Sequence, residues 1–263
     1  QRIYRSALML QKFIEATVNG RTDHTPTLFS LQFEAALDGF VAGQYCRVGL
    51  HMRTDKGDEA VMRPYSLVNA PSVTPNEILL TLVSPAQGGI LSPALHALKV
   101  GDPLLVGPRT NGFFSMPEVP DAEVLWCLST GTGLGPYLSI LNTPAPWEKF
   151  KRVVLVHAVR VGAELVYRDE IALIAARYAE RFQYIAFVSR EAHAQALPGR
   201  IPAAIMSGAL EARAGIALDA ATAHCMLCGN PEMVTDTIAA LELRGMKKHR
   251  RKTPGQITTE AYW

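Results

Sequence analysis

The sequence predicts two domains, an N-terminal antiparallel β-barrel followed by an α/β domain on a parallel sheet. Three observations carry this. β-rich runs broken by turn residues dominate from Lys12 to about Phe114. Beyond Met116-Pro117-Glu118-Val119-Pro120, strands alternate with helices, as a parallel sheet covered on both faces requires. Each half also carries one segment suited to a dinucleotide. The expected boundaries are 1–115 for the barrel, 116–121 for a linker and 122–263 for the α/β domain.

In the first half, Thr27–Phe33, Gln44–Leu50 and Glu77–Val83 read as strands. Gly89–Leu98 reads as a short helix capped by Ser92 ahead of Pro93, with free N-terminal amides that suit a phosphate. After the linker, Glu123–Ser129 is an apolar run of the length of a buried parallel strand. It leads into Gly131-Thr132-Gly133-Leu134-Gly135-Pro136 and a helix over Tyr137–Leu141. Arg152–His157 and Phe182–Val188 read as strands, with helical periodicity between them over Glu164–Arg181. Ile201–Leu210 predicts a pair of helices, His224–Cys228 a strand, and Pro231–Arg244 a helix with proline near its start.

Two segments carry the chemistry. In Arg63-Pro64-Tyr65-Ser66 a guanidinium can pair with a pyrophosphate, beside a flat ring and a hydroxyl. In the glycine run, a turn opens onto a helix whose free N–H groups and positive dipole end attract phosphate. Its spacing departs from Gly-x-Gly-x-x-Gly, so a standard Rossmann assignment would be wrong in detail. Ligands on parallel sheets bind beyond the strand C-terminal ends, where Gly131, Thr132, Arg160, Ser189, Arg190 and Gly229 fall. Arg160, Arg190 and Arg200, with the Ser189 hydroxyl, would together match a dianionic ribose 2′-phosphate as on NADP, although each arginine taken alone reads as a solvated surface residue. Two dinucleotides in one chain imply electron transfer between them.

Composition narrows the classes. The formal net charge of +2 gives no case for nucleic acid, and no apolar stretch is long enough to cross a bilayer. Gln1-Arg2-Ile3-Tyr4-Arg5 lacks the apolar core of a secretory signal, so a soluble, cytoplasmic protein is expected. Cys225 and Cys228 have Cys-x-x-Cys spacing, but no second ligand pair stands at zinc spacing and no metal is expected. On a strand, residues three apart face opposite sides, which disfavours a disulfide. Cys46, Cys127, Cys225 and Cys228 are expected to be free, buried thiols without an iron–sulfur cluster.

Arg63-Pro64-Tyr65-Ser66, Gly89-Ile90-Leu91-Ser92, Gly131-Thr132-Gly133, Cys228-Gly229-Asn230-Pro231-Glu232-Met233 and terminal Glu260-Ala261-Tyr262-Trp263 together resemble the bacterial class of ferredoxin–NADP+ reductases. The resemblance runs from about Gln11 to Trp263, and the terminal aromatic pair is its most specific part. It implies FAD on the barrel, held by Arg63, Pro64, Tyr65, Ser66, Ile90, Leu91 and Ser92. Thr132 would contribute from the second domain, Tyr262 would cover the flavin and Trp263 would lie near the adenosine. It implies NADP(H) at Gly131, Thr132, Arg160, Ser189, Arg190, Arg200, Gly229, Asn230 and Pro231. Ser66, Cys228, Glu260 and Tyr262 would surround the reacting rings, Tyr262 yielding its place to the nicotinamide so that hydride can pass to flavin N5.

The resemblance also implies a monomer working with ferredoxin or flavodoxin, an acidic one-electron carrier. The basic run Lys247-Lys248-His249-Arg250-Arg251-Lys252 could steer such a partner. Two alternatives stay open. One is an NADPH-dependent flavin or siderophore reductase of the same fold, the other a non-catalytic dinucleotide-binding module.

Overall fold

Alternating burial closes the first unit of the chain into a barrel. The computed structural model describes residues 13–261 and divides into two units between Phe113 and Phe114. The first unit contains β1 (Ile14–Asp23), β2 (Leu28–Phe33), β3 (Tyr45–Thr54), β4 (Gly57–Ser66), β5 (Asn76–Thr81), α1 (Leu91–Ala97) and β6 (Pro103–Val106). All pairings are antiparallel, in the order β4-β3-β6-β1-β2-β5. A bridge between Leu67 and Ile78, with the Val68 N–H donating to the Glu77 carbonyl at 2.8 Å, joins the two ends of that order. Such closure leaves few strand edges unpaired.

On β3, Cys46 and Val48 point inward while Arg47 between them faces out, the period of two that a pleated strand imposes. They pack with Phe29, Leu31, Phe33, Leu80 and Val106. Leu91 and Leu95, four apart on one helix face, bring α1 onto this core and against β3 and β4. Ser92 departs from its expected capping role. The residue that starts α1 is Ile90, and the Ser92 hydroxyl lies within the helix, accepting from the Val83 N–H at 3.0 Å. The far end of α1 is held instead by Arg21, whose guanidinium donates to the carbonyls of His96 at 2.8 Å and Leu98 at 3.0 Å. That guanidinium also contacts the Asp23 carboxylate at 2.6 Å and lies 5.0 Å from the centre of the Phe29 ring. One cation thus satisfies helix-end carbonyls that would otherwise lack donors.

The second unit contains β7 (Val124–Thr130), α2 (Gly135–Leu141), α3 (Ala145–Lys149), β8 (Arg152–Val159), α4 (Arg168–Tyr178), β9 (Phe182–Val188) and β10 (Ala196–Pro198). They are followed by α5 (Ile201–Ser207), α6 (Ala209–Ala214), β11 (Ala223–Gly229), α7 (Pro231–Glu242) and β12 (Ile257–Ala261). The strands are all parallel, in the order β10-β9-β8-β7-β11-β12. All of β11, and β7 up to Ser129, is buried, which accounts for their largely apolar sequence.

Two expectations need adjusting. The helical run expected over Glu164–Arg181 contracts to α4: Leu165 is drawn into a small cluster with Val159, Ala186 and Val188, and Val166 beside it is buried as well. The end of the chain is more than a tail, since residues 257–261 form the sixth parallel strand.

Residues 116–121 are fastened within the second unit. Met116 and Val119 are buried, and the Lys149 ammonium donates to the Val119 carbonyl and lies 3.4 Å from the Asp121 carboxylate. Glu118 receives two hydrogen bonds from the Arg251 guanidinium, at 2.9 and 3.1 Å, which hold its carboxyl below the usual range. The four cysteines are buried and none is joined in a disulfide. Burial pushes the Cys46 thiol up to about 12 and raises Cys127 and Cys225 as well, so these stay protonated at neutral pH. Among the described residues no helix is long and apolar enough to cross a membrane.

Arg21→Ala should lower the unfolding free energy by about 2 kcal/mol, since two carbonyls lose a charged donor. Chemical denaturation followed by circular dichroism measures this, and an unchanged midpoint would show that water replaces the guanidinium without cost.

Candidate functional site

The chain runs outward through β7, β8, β9 and β10, then returns to lay β11 on the other side of β7. Beyond the C-terminal ends of β7 and β11 is therefore the switch point at which open parallel sheets bind ligands. Gly131–Leu134 forms a tight helical turn there and passes directly into α2. Gly133 is packed against the end of β11. A Cβ at this position would lie 2.5 Å from the Cys228 carbonyl oxygen and 2.9 Å from the Gly229 Cα. Gly229 has φ of 134°, and a Cβ on it would meet the Thr130 hydroxyl at 2.2 Å. Only glycine serves at both places.

Hydrogen bonds fix the same turns. Thr130 Oγ1 accepts from the Asn230 N–H at 2.9 Å. The Asn230 side chain accepts from the N–H groups of Glu232 at 2.8 Å and Met233 at 3.2 Å and so caps α7. Under the turn, the Tyr137 hydroxyl donates to the Met226 carbonyl at 2.7 Å, with the Leu128 carbonyl at 3.1 Å. His157, fully buried on β8, has Nε2 3.2 Å from the Gly131 carbonyl and Nδ1 3.5 Å from the Tyr184 hydroxyl. Burial lowers its pKa to about 4 and lifts that of Tyr184 to about 12. The ring is therefore neutral, with its proton on Nε2 facing the Gly131 carbonyl.

The three arginines leave the sheet together. Val159, Val188 and Pro198 lie in one register row across β8, β9 and β10. Arg160 follows the first of these directly, and Arg190 and Arg200 stand two residues beyond the other two. All three are exposed, and none forms an ion pair among the described residues. Ser189, also exposed, turns its hydroxyl to the Val159 carbonyl at 3.2 Å. A row of unpaired guanidinium groups beside a glycine turn is a donor set fit for nucleotide phosphates.

Cys228 is fully buried and lies in register with Ser129 on one side and Glu260 on the other. Tyr262 and Trp263 fall outside the described residues.

On the barrel, Arg63, Pro64, Tyr65 and Ser66 form the end of β4. Proline is tolerated at this end of the strand order because edge positions can spare an N–H. Arg63 is exposed and donates to its neighbour's carbonyl, Met62, at 3.0 Å. Tyr65 is half-buried against the barrel core, which pushes its phenol up to about 12 and keeps it a neutral donor. Ser66 is buried. Before α1, a Cβ on Gly89 would lie 1.9 Å from the Val83 carbonyl oxygen, so the turn closes tightly. Ile90 is exposed, Leu91 belongs to the core and Ser92 is bonded to Val83, so the last two offer a ligand their backbone alone. Packing of α1 against β4 brings this turn to the strand that bears Arg63.

Comparisons with known proteins agree with the fold. Residues 127–238 match the model of the oxidoreductase NAD-binding domain. The chain is 46% identical over 240 residues to a flavodoxin/ferredoxin–NADP reductase of Shigella flexneri, spanning 91% of this chain and 94% of that one. The Escherichia coli K12 protein of the same name is 45% identical over the same shares. The chain belongs to the flavodoxin/ferredoxin–NADP reductase family. A crystal structure of a ferredoxin NADP+ reductase from Neisseria gonorrhoeae with bound FAD and NADP superposes with a TM-score of 0.87. It is 31% identical, with 95% of this chain and 99% of that chain covered.

Sequence reasoning passed over Thr130, Tyr137 and His157. A histidine inside an apolar strand, at Val156-His157-Ala158, was the available signal for the last.

Gly133→Ala should destabilise the protein by roughly 2 kcal/mol or more, since backbone atoms of β11 must move. Thermal unfolding measures it, and a wild-type melting temperature would contradict the packing. Acid should also destabilise. In the unfolded chain histidine takes a proton near pH 6.5, whereas His157 resists to about 4 and His224, held down chiefly by burial, to about 3. The unfolded state thus binds more protons in this window, and stability should fall as pH drops from about 6.5 towards 4, by roughly 3 kcal/mol for each group at most. Urea midpoints across this range should fall in wild type and less steeply in His157→Gln.

Proposed function

We propose that this chain carries FAD on its barrel unit, takes NADPH on its α/β unit, and passes the electrons to ferredoxin or flavodoxin. Membership of the family supports the activity, and the row of unpaired arginines at the exits of β8, β9 and β10 carries the choice of NADPH. Arg63 would neutralise the flavin nucleotide's pyrophosphate, helped by backbone N–H groups of residues 90–92. Tyr65 would present its ring and hydroxyl to the cofactor, Ser66 would bond near the reacting nitrogen, and Thr132 would add a contact from the α/β unit. Bound flavin supplies the ability to accept a hydride and release its electrons one at a time.

The protein's own contribution is position and field. Gly131, Gly229, Asn230 and Pro231 would line the bed for NADPH, with Asn230 acting through its cap on α7. Arg160, Arg190, Arg200 and Ser189 would take its 2′-phosphate. Cys228 and Glu260, adjacent in register, would stand beside the nicotinamide, and Tyr262 would cover the flavin until the nicotinamide arrives, with Trp263 near the adenosine. Lys247, Lys248, Arg250 and Lys252 are exposed and would contribute to the positive field that draws in an acidic carrier. Arg251 is instead committed to Glu118. A cytoplasmic monomer without nucleic-acid binding accompanies this activity.

Purified protein should be yellow, bleach anaerobically on addition of NADPH, and support reduction of ferredoxin or flavodoxin. A colourless protein would point to the dinucleotide-binding module. One that reduces free flavins or ferric chelates but neither carrier would point to a small-molecule reductase. Arg190→Ala should raise KM for NADPH about tenfold to a hundredfold with little effect on NADH, the loss of one charge-assisted contact. Removing Tyr262 and Trp263 should relax the preference for NADPH over NADH, and unchanged kinetics would exclude the covering role.

A further inference from the structure

The exits of β8 and β9 are joined by more than the regular ladder. The Arg190 N–H donates to the Arg160 carbonyl at 2.8 Å, beyond the last paired residues Val159 and Val188. One residue further along, the Gly162 N–H donates to Glu191 Oε1 at 2.6 Å. A Cβ at Gly162 would lie 2.7 Å from the His193 ring and 3.2 Å from Glu191 Oε1, so a side chain there would have to displace the two side chains that cover the turn. From the other side, Glu164 Oε2 accepts from the Arg160 N–H at 2.9 Å. Residues 160–162 are thus held between two carboxylates from different segments.

On charge alone, position 191 is a poor place for a carboxylate. It directly follows Arg190 in a cluster suited to a dianion, and its field opposes that dianion. An acidic group near the ribose would by itself favour NADH, whose two hydroxyls donate to carboxylates. The hydrogen bond to Gly162 gives Glu191 a different use.

We infer that Glu191 is a positioning residue for NADPH: its carboxylate fixes the turn after β8 so that Arg160 and Arg190 converge on one 2′-phosphate. It therefore sets nucleotide preference without touching the reacting atoms. This rests on the assignment of the arginine row to NADPH. Glutamine at 191 keeps an oxygen for the Gly162 N–H and drops the charge, whereas alanine keeps neither.

The test is steady-state kinetics of the flavin-loaded enzyme with NADPH and with NADH, for Glu191→Ala, Glu191→Gln and Arg190→Ala. Glu191→Ala should raise KM for NADPH about tenfold while kcat holds and KM for NADH does not move, the effect of one lost hydrogen bond to a charged group. Glu191→Gln should restore KM for NADPH to the wild-type value or below it. The inference is overturned if Glu191→Ala leaves KM for NADPH unchanged or lowers it, if both nucleotides weaken equally, or if glutamine is as impaired as alanine. Arg190→Ala separates the two levels. If it leaves KM for NADPH unchanged, the nucleotide assignment fails; if it raises KM and Glu191→Ala does not, only the role of Glu191 fails.

Discussion

The contact on which the second unit depends is the near-touching of two backbones at the switch point. Gly133 sits against the carbonyl of Cys228 and the Cα of Gly229, while Thr130 occupies the space that a side chain on Gly229 would need. The turn after β7 and the turn after β11 are therefore a single packed object, sealed by the bond from Asn230 to Thr130. The start of α2, the cap of α7 and the supports beneath them, Tyr137 and His157, all follow from that approach. Backbone contact of this kind tolerates no intermediate size of residue, which is why glycine spacing rather than any reactive side chain marks the place.

Most of the architecture was legible because it rests on periodicity. Alternation on β3 and the apolar runs of β7 and β11 leave little choice of element, and the three arginines fall at strand exits once the strands are placed. Less legible was anything decided by tertiary contact. Ser92 ahead of Pro93 has the pattern of a cap, but the helix begins earlier and the hydroxyl is taken by Val83. Leu165 and Val166 fit a helical period, yet both are buried outside α4, Leu165 in a cluster with Val188. Likewise β12 pairs with β11 over five residues whose sequence, Ile257-Thr258-Thr259-Glu260-Ala261, is too polar to announce a strand by apolarity.

The candidate site could be named from the sequence as a set of residue types, but its supports could not. Arg63, Tyr65 and Ser66 could be named from one tetrapeptide, whereas the dependence of α1 on Arg21 joins residues some seventy positions apart. The same holds for His157 and Gly131 and for Gly162 and Glu191, pairs about 26 and 29 residues apart in sequence. Each supporting bond is made to a backbone group, so nothing in the side-chain chemistry of the accepting or donating residue signals it in advance.

Residues 116–121 and 247–256 both precede strands of the parallel sheet, so they lie along the edge away from the turns at the strands' C-terminal ends. There Arg251 clasps Glu118 and Lys149 holds Val119, so the incoming chain and the last approach to β12 are tied down at the rear. The turns after β8, β9 and β10, unlike the packed pair after β7 and β11, are thereby relieved of architectural duty: they can exchange residues, lengthen or reverse their charge while the scaffold is inherited intact. On the proposed seat for NADPH, evolution between pyridine nucleotides is then a matter of rewriting a few exposed turns.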